Sequence, residues 1–308
     1  FCMRRFLSRV LPLLLSFGLI FNCTGCSTVL VLAGKARENS EASSSVISES
    51  SASSGVISTP VPTEDGDLRA FYTDVANAES VTVMVYMIGS DLESEDGSAT
   101  DDLLEMADAA LSENVHLVLQ TGGTETWWND VCTDDESERF VIENGDMTLL
   151  QNLGSVNMTD ADTLSDFIRF SAESYPADRY ELILWDHGGG TMTGFGYDEL
   201  YEDTSLTLSS LSTALYNGGV QFDFIGFDAC LMATAEVAYA LDPYADYLIA
   251  SEESEPGEGW AYKNWLTMLA EDPAVPTAEL GKKLADDFLE AYIFADMPTL
   301  SVLDLRYV

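Results

Sequence analysis

The amino-acid sequence predicts an α/β fold in which helices flank a mostly parallel central sheet. From about residue 70 onward, short runs of β-branched and apolar residues alternate with segments of helical spacing. Strands that alternate with helices form parallel sheets covered on both faces. The 46% of hydrophobic residues is enough to build such a core. In sheets of this kind, chemistry concentrates at the carboxyl ends of the strands.

The predicted elements follow one another along the chain. Apolar, β-branched runs predict strands at 81–87, 115–119, 180–185, 222–227, 247–250 and 299–305. Helical spacing predicts helices at 101–111, 159–174, 205–216, 231–241, 265–270 and 278–293. Between them, the Asn144-Gly145 pair joins two short apolar runs, 139–142 and 147–150. This pattern predicts a β-hairpin, because Asn-Gly favours the tight turns that connect antiparallel strands.

The first 25 residues resemble a bacterial lipoprotein signal peptide. Arginines precede an apolar stretch over 10–21, which ends in Cys23-Thr24-Gly25-Cys26-Ser27. Cys26 is the expected site of lipid attachment, and a plain secretory signal with an incidental cysteine is the alternative. The sequence therefore predicts an extracytoplasmic lipoprotein on a bacterial cell surface, held to the membrane by its N-terminal lipid alone.

Two further segments follow the signal. Residues 26–70 are rich in serine and lack helical or strand periodicity, which predicts a flexible tether. Residues 71–308 carry the alternating pattern of the α/β domain. The chain stops three residues after the last predicted strand, so we expect this domain to be incomplete at its C-terminal end, with a minimal core as the alternative.

The charge of the chain restricts its partners. Thirteen Lys and Arg stand against 53 Asp and Glu, a formal net charge of −40. A phosphate backbone would be repelled, which excludes ordinary nucleic-acid binding. A cationic ligand is favoured for the same reason.

Familiar phosphate and metal motifs are missing from the sequence. It contains neither a P-loop motif nor the His-Glu-x-x-His zinc motif. The acidic segment 91–97 misplaces its glycine for a calcium-binding loop, and we interpret it as a solvated loop. We expect no cofactor to be required, although the acidic loops permit a calcium site and specify none.

One of the two histidines follows a predicted buried strand. His187 comes after the apolar run 182–185 and precedes Gly188-Gly189-Gly190. Glycines let another backbone approach closely and leave amide N–H groups uncovered, as an oxyanion hole requires. His116 lies inside a predicted strand, where a packed histidine is the expected role.

A cysteine follows the next predicted strand. Cys230 comes after Asp228-Ala229 and precedes the apolar segment 231–241, so we expect it at a helix N-terminus, where the helix dipole lowers the pKa of a thiol. A core position is the alternative for an isolated cysteine. Together with His187, however, Cys230 suggests a nucleophile and its general acid/base. Cys132 lies in an acidic segment that we expect to be exposed.

These residues resemble those of a known family. The segments ILWDHGGG (183–190) and IGFDACLMA (225–233), together with VTVMVYMIGSDLES (81–94) and ASEESEPGEGW (250–260), are similar to the clostripain-like (C11) cysteine peptidases. The resemblance spans about 78–305. It implies a caspase-like three-layer sandwich and hydrolysis of peptide bonds after a basic (Arg or Lys) residue.

The resemblance also implies roles for individual residues. Cys230 corresponds to the nucleophile and His187 to the general acid/base, while Gly188 would help to hold the oxyanion. Asp228 would line the pocket for the basic side chain, with Glu258 as a second pocket carboxylate. Many members mature by self-cleavage after a basic residue between the His and the Cys. No Lys or Arg occurs from 188 to 229, so we expect no such cut.

Two other functions remain open from the sequence. The chain could be a non-catalytic surface lipoprotein, a pseudo-peptidase that binds cationic peptides or partners. It could also be a cell-wall or adhesion module that reuses the same fold. Peptide or protein substrates that contain Arg or Lys are the partners expected of the peptidase.

Overall fold

Eight strands form one mixed sheet at the centre of the fold. A computed structural model describes residues 73–201, 204–292 and 298–308. The predicted signal peptide (1–25), its Cys26 and the predicted tether (26–70) lie outside the described residues. The strands are β1 (Val81–Ile88), β2 (Val115–Gly122), β3 (Ser137–Glu143), β4 (Asp146–Gly154), β5 (Arg179–Trp185), β6 (Phe222–Asp228), β7 (Ala245–Ala250) and β8 (Ser301–Asp304).

The order of the strands is β4-β3-β2-β1-β5-β6-β7-β8. The five central strands, β2, β1, β5, β6 and β7, are parallel. Antiparallel strands complete both edges, β3 and β4 on one side and β8 on the other. The predicted mostly parallel sheet is therefore confirmed. The chain proceeds from β1 to β2 on one side and later from β5 to β7 on the other, so the connections change direction between β1 and β5.

Helices cover both faces of the sheet. They are α1 (Ser90–Ser94), α2 (Ser98–Ala107), α3 (Ala161–Ser174), α4 (Gly190–Thr193), α5 (Leu208–Gly218), α6 (Ala235–Leu241), α7 (Tyr262–Glu271) and α8 (Thr277–Ala291). Side chains alternate along each strand. Met84 and Tyr86 of β1 therefore pack with α3, α5 and α6, whereas Val83 and Val85 pack with α2, α7 and α8. The result is the expected three-layer sandwich.

Local sequence explains several element boundaries. The side chain of Asp160 accepts the N–H of Asp162 at 2.8 Å, which caps α3 and sets its start two residues after the predicted Thr159. The predicted hairpin forms between β3 and β4. Asn144 and Gly145 both have positive φ, 53° and 84°, as the turn demands.

An ion cluster lies at the amino end of β5. The guanidinium of Arg179 contacts the carboxylates of Glu181 at 3.1 Å and Asp223 at 2.6 Å, and all three side chains are buried. Arg179 also donates to the carbonyls of Pro273 and Val275. Burial raises the pKa of Glu181 to about 8, although Arg179 opposes this shift. The cluster lies at the end of the sheet opposite to the predicted site.

Within the described residues, no helix combines the length and the apolar character needed to cross a membrane.

Candidate active site

Three loops meet at the carboxyl ends of the central strands. They follow β1, β5 and β6, and β5 lies between the other two strands. Because β1 and β5 flank the point where the connections change direction, this is the position at which open α/β sheets form a crevice. Ligands of open α/β sheets bind in such crevices.

The predicted His187 and Cys230 belong to two of these loops, which pack directly against each other. Trp185 and Asp228 are partners in the β5–β6 register, and the next N–H, of Asp186, donates to the Asp228 carbonyl at 3.2 Å. A Cβ on Gly188 would lie 2.0 Å from the carbonyl oxygen of Cys230. Only glycine permits this approach. The contact brings the His187 and Cys230 loops together at the carboxyl ends of the central strands.

Cys230 does not open a helix, so this part of the prediction is wrong. Helix α6 begins at Ala235, where the Thr234 side chain caps it. Leu231 has a φ of 67° and donates its N–H to the Glu253 carbonyl. The predicted helix start is thus replaced by backbone pairing with a distant segment, and the dipole of α6 does not act on the thiol.

The segment from Glu253 to Glu255 sets the surroundings of the thiol instead. Cys230 is half-buried. The N–H of Glu255 donates to its Sγ at 3.3 Å. The Sγ also lies 3.9 Å from the carbonyl oxygen of Glu255, to which the thiol can donate.

The imidazole of His187 contacts a carboxylate that the sequence analysis missed. Its Nε2 lies 2.7 Å from Oδ1 of Asp91 in α1, and both side chains are a little over 40% exposed. The ring of Tyr197 lies 6.4 Å away, centroid to centroid. The position of Asp91 directly after β1, beside β5 at the change of direction, was the available signal. The predicted acidic loop at 91–97 is partly this short helix.

Asp186, the residue before His187, is buried and ties the loops together. Its carboxylate accepts a hydrogen bond from Ser90 Oγ at 2.7 Å and another, very short one from the N–H of Tyr197. Burial raises the pKa of Asp186 to about 7, while His187 and these hydrogen bonds lower it.

A second feature of the site is a cluster of buried carboxyl groups, which we call the acid cluster: Asp102, Asp228 and Glu255. Asp228 accepts the N–H of Trp260 at 3.0 Å and the hydroxyl of Tyr262 at 2.8 Å through the same oxygen. A Cβ on residue 259, which is glycine, would lie within 3.0 Å of carboxylate oxygens of both Asp102 and Asp228, so these two groups converge there.

The acid cluster has unusual electrostatics. Burial raises the pKa of Asp228 to about 6. The pKa values of Asp102 and Glu255 are also raised, mainly by burial and secondly by the charge of the nearby Asp228. The carboxyl group of Glu255 is buried beside Asp228 and the side chain of Trp260. The Lys and Arg residues of the described ranges pair with other acids: Asp166, Glu181, Asp223, Asp108, Asp286, Asp287 and Asp304. The acid cluster is therefore a group of buried carboxyls that no Lys or Arg of the described ranges contacts.

Other predicted residues have varied positions. Glu258 is exposed, and its pocket role stays a prediction. Cys132 is buried, contrary to the expected exposure, because its loop folds back over α2; burial raises its pKa to about 12. His116 lies in β2 with its ring 5.3 Å from that of Tyr175. Within the described ranges, no group of three or more His, Cys, Asp or Glu side chains is arranged to hold a metal ion.

The fold and the paired loops define an α/β protein that presents a cysteine and a histidine at one sheet edge, the class that contains the cysteine peptidases of caspase-like fold. The sequence model of the clostripain family (Peptidase_C11) matches residues 85–308. The chain therefore belongs to the clostripain family of cysteine peptidases, and the family predicted from its motifs is confirmed.

Individual relatives agree with this assignment. Clostripain from Hathewaya histolytica is 29% identical in a 217-residue alignment that covers 60% of this chain and 41% of clostripain. A secreted C11 cysteine protease from Bacteroides thetaiotaomicron, solved with an irreversible peptide inhibitor, has a TM-score of 0.58 at 24% identity and covers 70% of this chain and 59% of its own. An inactive zymogen of a C11 protease from Parabacteroides distasonis has a TM-score of 0.56 at 26% identity, covering 75% and 63%. The chain thus spans less than two thirds of each of these relatives.

Proposed function

We propose that the chain is a cysteine endopeptidase that cleaves peptide bonds after Arg or Lys, with Cys230 as the nucleophile and His187 as the general acid/base. The observation that carries the proposal is the contact of Gly188 with the Cys230 backbone, which joins the two loops that bear these side chains. Family membership supports the same chemistry.

The reaction follows from the residues of the site. The thiol of Cys230 gives its proton to His187, and its sulfur forms a bond to the scissile carbonyl carbon. The N–H groups of Gly188 and Cys230 are the proposed donors to the resulting oxyanion. His187 then protonates the leaving amine as the C–N bond breaks. A water molecule hydrolyses the thioester, its proton passing through His187 and back to the sulfur.

The preference for a basic residue rests on the acid cluster. A guanidinium or ammonium group loses its hydration on entering a pocket, and opposing carboxylates offset that cost. Asp228 and Glu255 supply buried carboxyl groups with raised pKa values. Glu258 is exposed on the loop that also carries Glu255, and it is a further candidate for the pocket entrance.

Location and maturation are part of the proposal. An extracytoplasmic location is supported by the secreted relative from Bacteroides thetaiotaomicron. We extend it to a lipoprotein anchored through Cys26, and Cys26→Ser should release the protein from membranes. Since no Lys or Arg lies between 188 and 229, the protein should act without a cut in that interval. A cut there that Cys230→Ala abolishes would contradict this. The reaction needs no cofactor, and cleavage that disappears in EDTA and returns with calcium would contradict that part.

Cleavage of fluorogenic peptides tests the activity. Matched substrates with Arg, Lys or Leu before the scissile bond are compared on the wild type, Cys230→Ala and His187→Ala, with Cys132→Ala and His116→Gln as controls. We expect cleavage after Arg and Lys that is lost only in the first two variants. Binding of the same peptides without cleavage would instead support the pseudo-peptidase. Equal rates on all three substrates would contradict the basic preference.

A further inference from the structure

Two neighbouring contacts join the loop after β1 to the loop after β5. Ser90 Oγ donates to the carboxylate of Asp186 at 2.7 Å. The next residue on each loop makes the second contact, Asp91 Oδ1 to His187 Nε2 at 2.7 Å. Consecutive residues of one loop therefore hold consecutive residues of the other. Such a pair of contacts fixes both the position and the direction of the imidazole.

The backbone at Ser90 is strained in a way that serves this arrangement. Ser90 is fully buried and has a φ of 49°, in the left-handed region that residues other than glycine rarely adopt. Its N–H donates to the Gly123 carbonyl at 3.1 Å, and its hydroxyl bonds to Asp186. Strain that the surroundings maintain in this way is common at functional sites. Here it turns the chain so that Asp91 meets the ring of His187.

The contact determines which ring nitrogen carries the proton. A carboxylate only accepts hydrogen bonds, so Nε2 of His187 must donate its N–H to Asp91. In the neutral ring, Nδ1 is then unprotonated and is the nitrogen that can receive a proton. The other titratable groups around the ring are Asp186, directly after β5, and Tyr197, with Cys230 on the adjacent loop.

We propose that Asp91 is a positioning residue for catalysis, which holds His187 as the Nε2–H tautomer with Nδ1 directed to the reaction. The proposal rests on the proposed function, because it assigns His187 the proton transfers described there. Asp91 acts through the imidazole and need not touch the substrate.

Nitrogen NMR of the histidine side chains tests the proposal independently of peptide cleavage. The chain has only two histidines, so selective ¹⁵N labelling yields two ring systems, and His116→Gln assigns them. We expect His187 of the wild type to be the Nε2–H tautomer at neutral pH. In Asp91→Asn, this tautomer should lose its dominance, whereas Asp91→Glu should retain it. Asp96→Asn, which removes an exposed charge a few residues away, is the matched control.

Kinetics on an Arg-containing peptide give the second readout. We expect Asp91→Asn to lower kcat by about 100-fold, the lower end of the range of general acid/base effects, with KM unchanged. Asp91→Glu should recover most of this loss, and Asp96→Asn should behave as the wild type. A wild-type His187 in the Nδ1–H tautomer, or a tautomer unchanged in Asp91→Asn, would overturn the assignment of Asp91. Absence of cleavage by the wild type would instead overturn the proposed function.

Discussion

Gly188 packs so closely on Cys230 that a Cβ added at residue 188 would lie only 2.0 Å from the carbonyl oxygen of the cysteine. Any side chain at 188 must therefore push the His187 loop away from the Cys230 loop. This contact relates the two proposed catalytic groups through the backbone.

Gly188→Ala should consequently abolish most of the activity while preserving the fold. A displacement of about 1 Å between reacting groups can reduce a rate by about 100-fold, and we expect a loss of at least that size in kcat/KM. The control is Gly257→Ala, because a Cβ there meets nothing within 4 Å. Circular dichroism checks the fold, and a fully active Gly188→Ala would show that the loop contact is not needed.

Asp228→Asn should reduce the preference for basic substrates. One oxygen of Asp228 accepts the hydrogen bonds of Trp260 and Tyr262, and an amide oxygen can replace it, so the variant removes charge with little change in structure. Loss of a buried charge partner costs about 2 kcal/mol or more. We expect kcat/KM for an Arg substrate to fall at least about 30-fold, with little change for a Leu substrate. The single variants Glu255→Gln and Glu258→Gln, assayed side by side, show which glutamate contributes to the pocket.

The stability of the fold should decrease as the pH rises from 5.5 to 8. Burial raises the pKa of Asp228 and Asp246 to about 6, of Asp186 to about 7 and of Glu181 to about 8. These acids ionise near pH 4 when unfolded, so in this window the folded chain binds more protons than the unfolded chain. Stability then falls with pH, by up to about 1.4 kcal/mol per unit for each group that titrates.

Thermal unfolding across this pH range measures the effect. The midpoint should be highest near pH 5.5, and Asp228→Asn should flatten its dependence on pH by removing one of the titrating groups. A midpoint that rises steadily to pH 8 would mean that these acids do not have the raised pKa values.

Alkylation should distinguish the two described cysteines. Burial raises the pKa of Cys132 to about 12, so almost no thiolate exists there at neutral pH. Cys230 is half-buried and receives an N–H from Glu255. Iodoacetamide at pH 7 should therefore modify Cys230 and spare Cys132, as read by peptide mass mapping. Equal labelling of both would contradict the site geometry.

Arg179→Met should strongly destabilise the protein without changing the active site. The substitution leaves Glu181 and Asp223 buried without their cation, at a cost of about 3–5 kcal/mol. Urea unfolding measures this loss. Lys282→Met, which breaks an exposed pair with Asp286, is the control and should cost about 1 kcal/mol or less.

The strands were predictable because strand periodicity is visible within short stretches of sequence. The positions of His187 and Cys230 were predictable because functional residues of parallel sheets lie directly after the carboxyl ends of the strands. The start of α6 was not, since the apolar residues 231–233 continue the helical pattern in sequence but pair through their backbone with residues 251–253. Asp91 was missed because its partner lies 96 residues away. A local sequence pattern carries no information on a pair so far apart in the chain. The change of direction of the strand connections between β1 and β5 does indicate that the residues after β1 lie close to those after β5.

The acid cluster also links ligand binding to the solvent. At pH 6 to 7 some of its carboxyl groups hold protons, and a cationic side chain entering beside them would favour the ionised forms. Each binding event would then expel protons into the buffer. The heat of binding measured by calorimetry should accordingly vary with the ionisation enthalpy of the buffer, and the apparent affinity should increase with pH even when the ligand itself does not titrate.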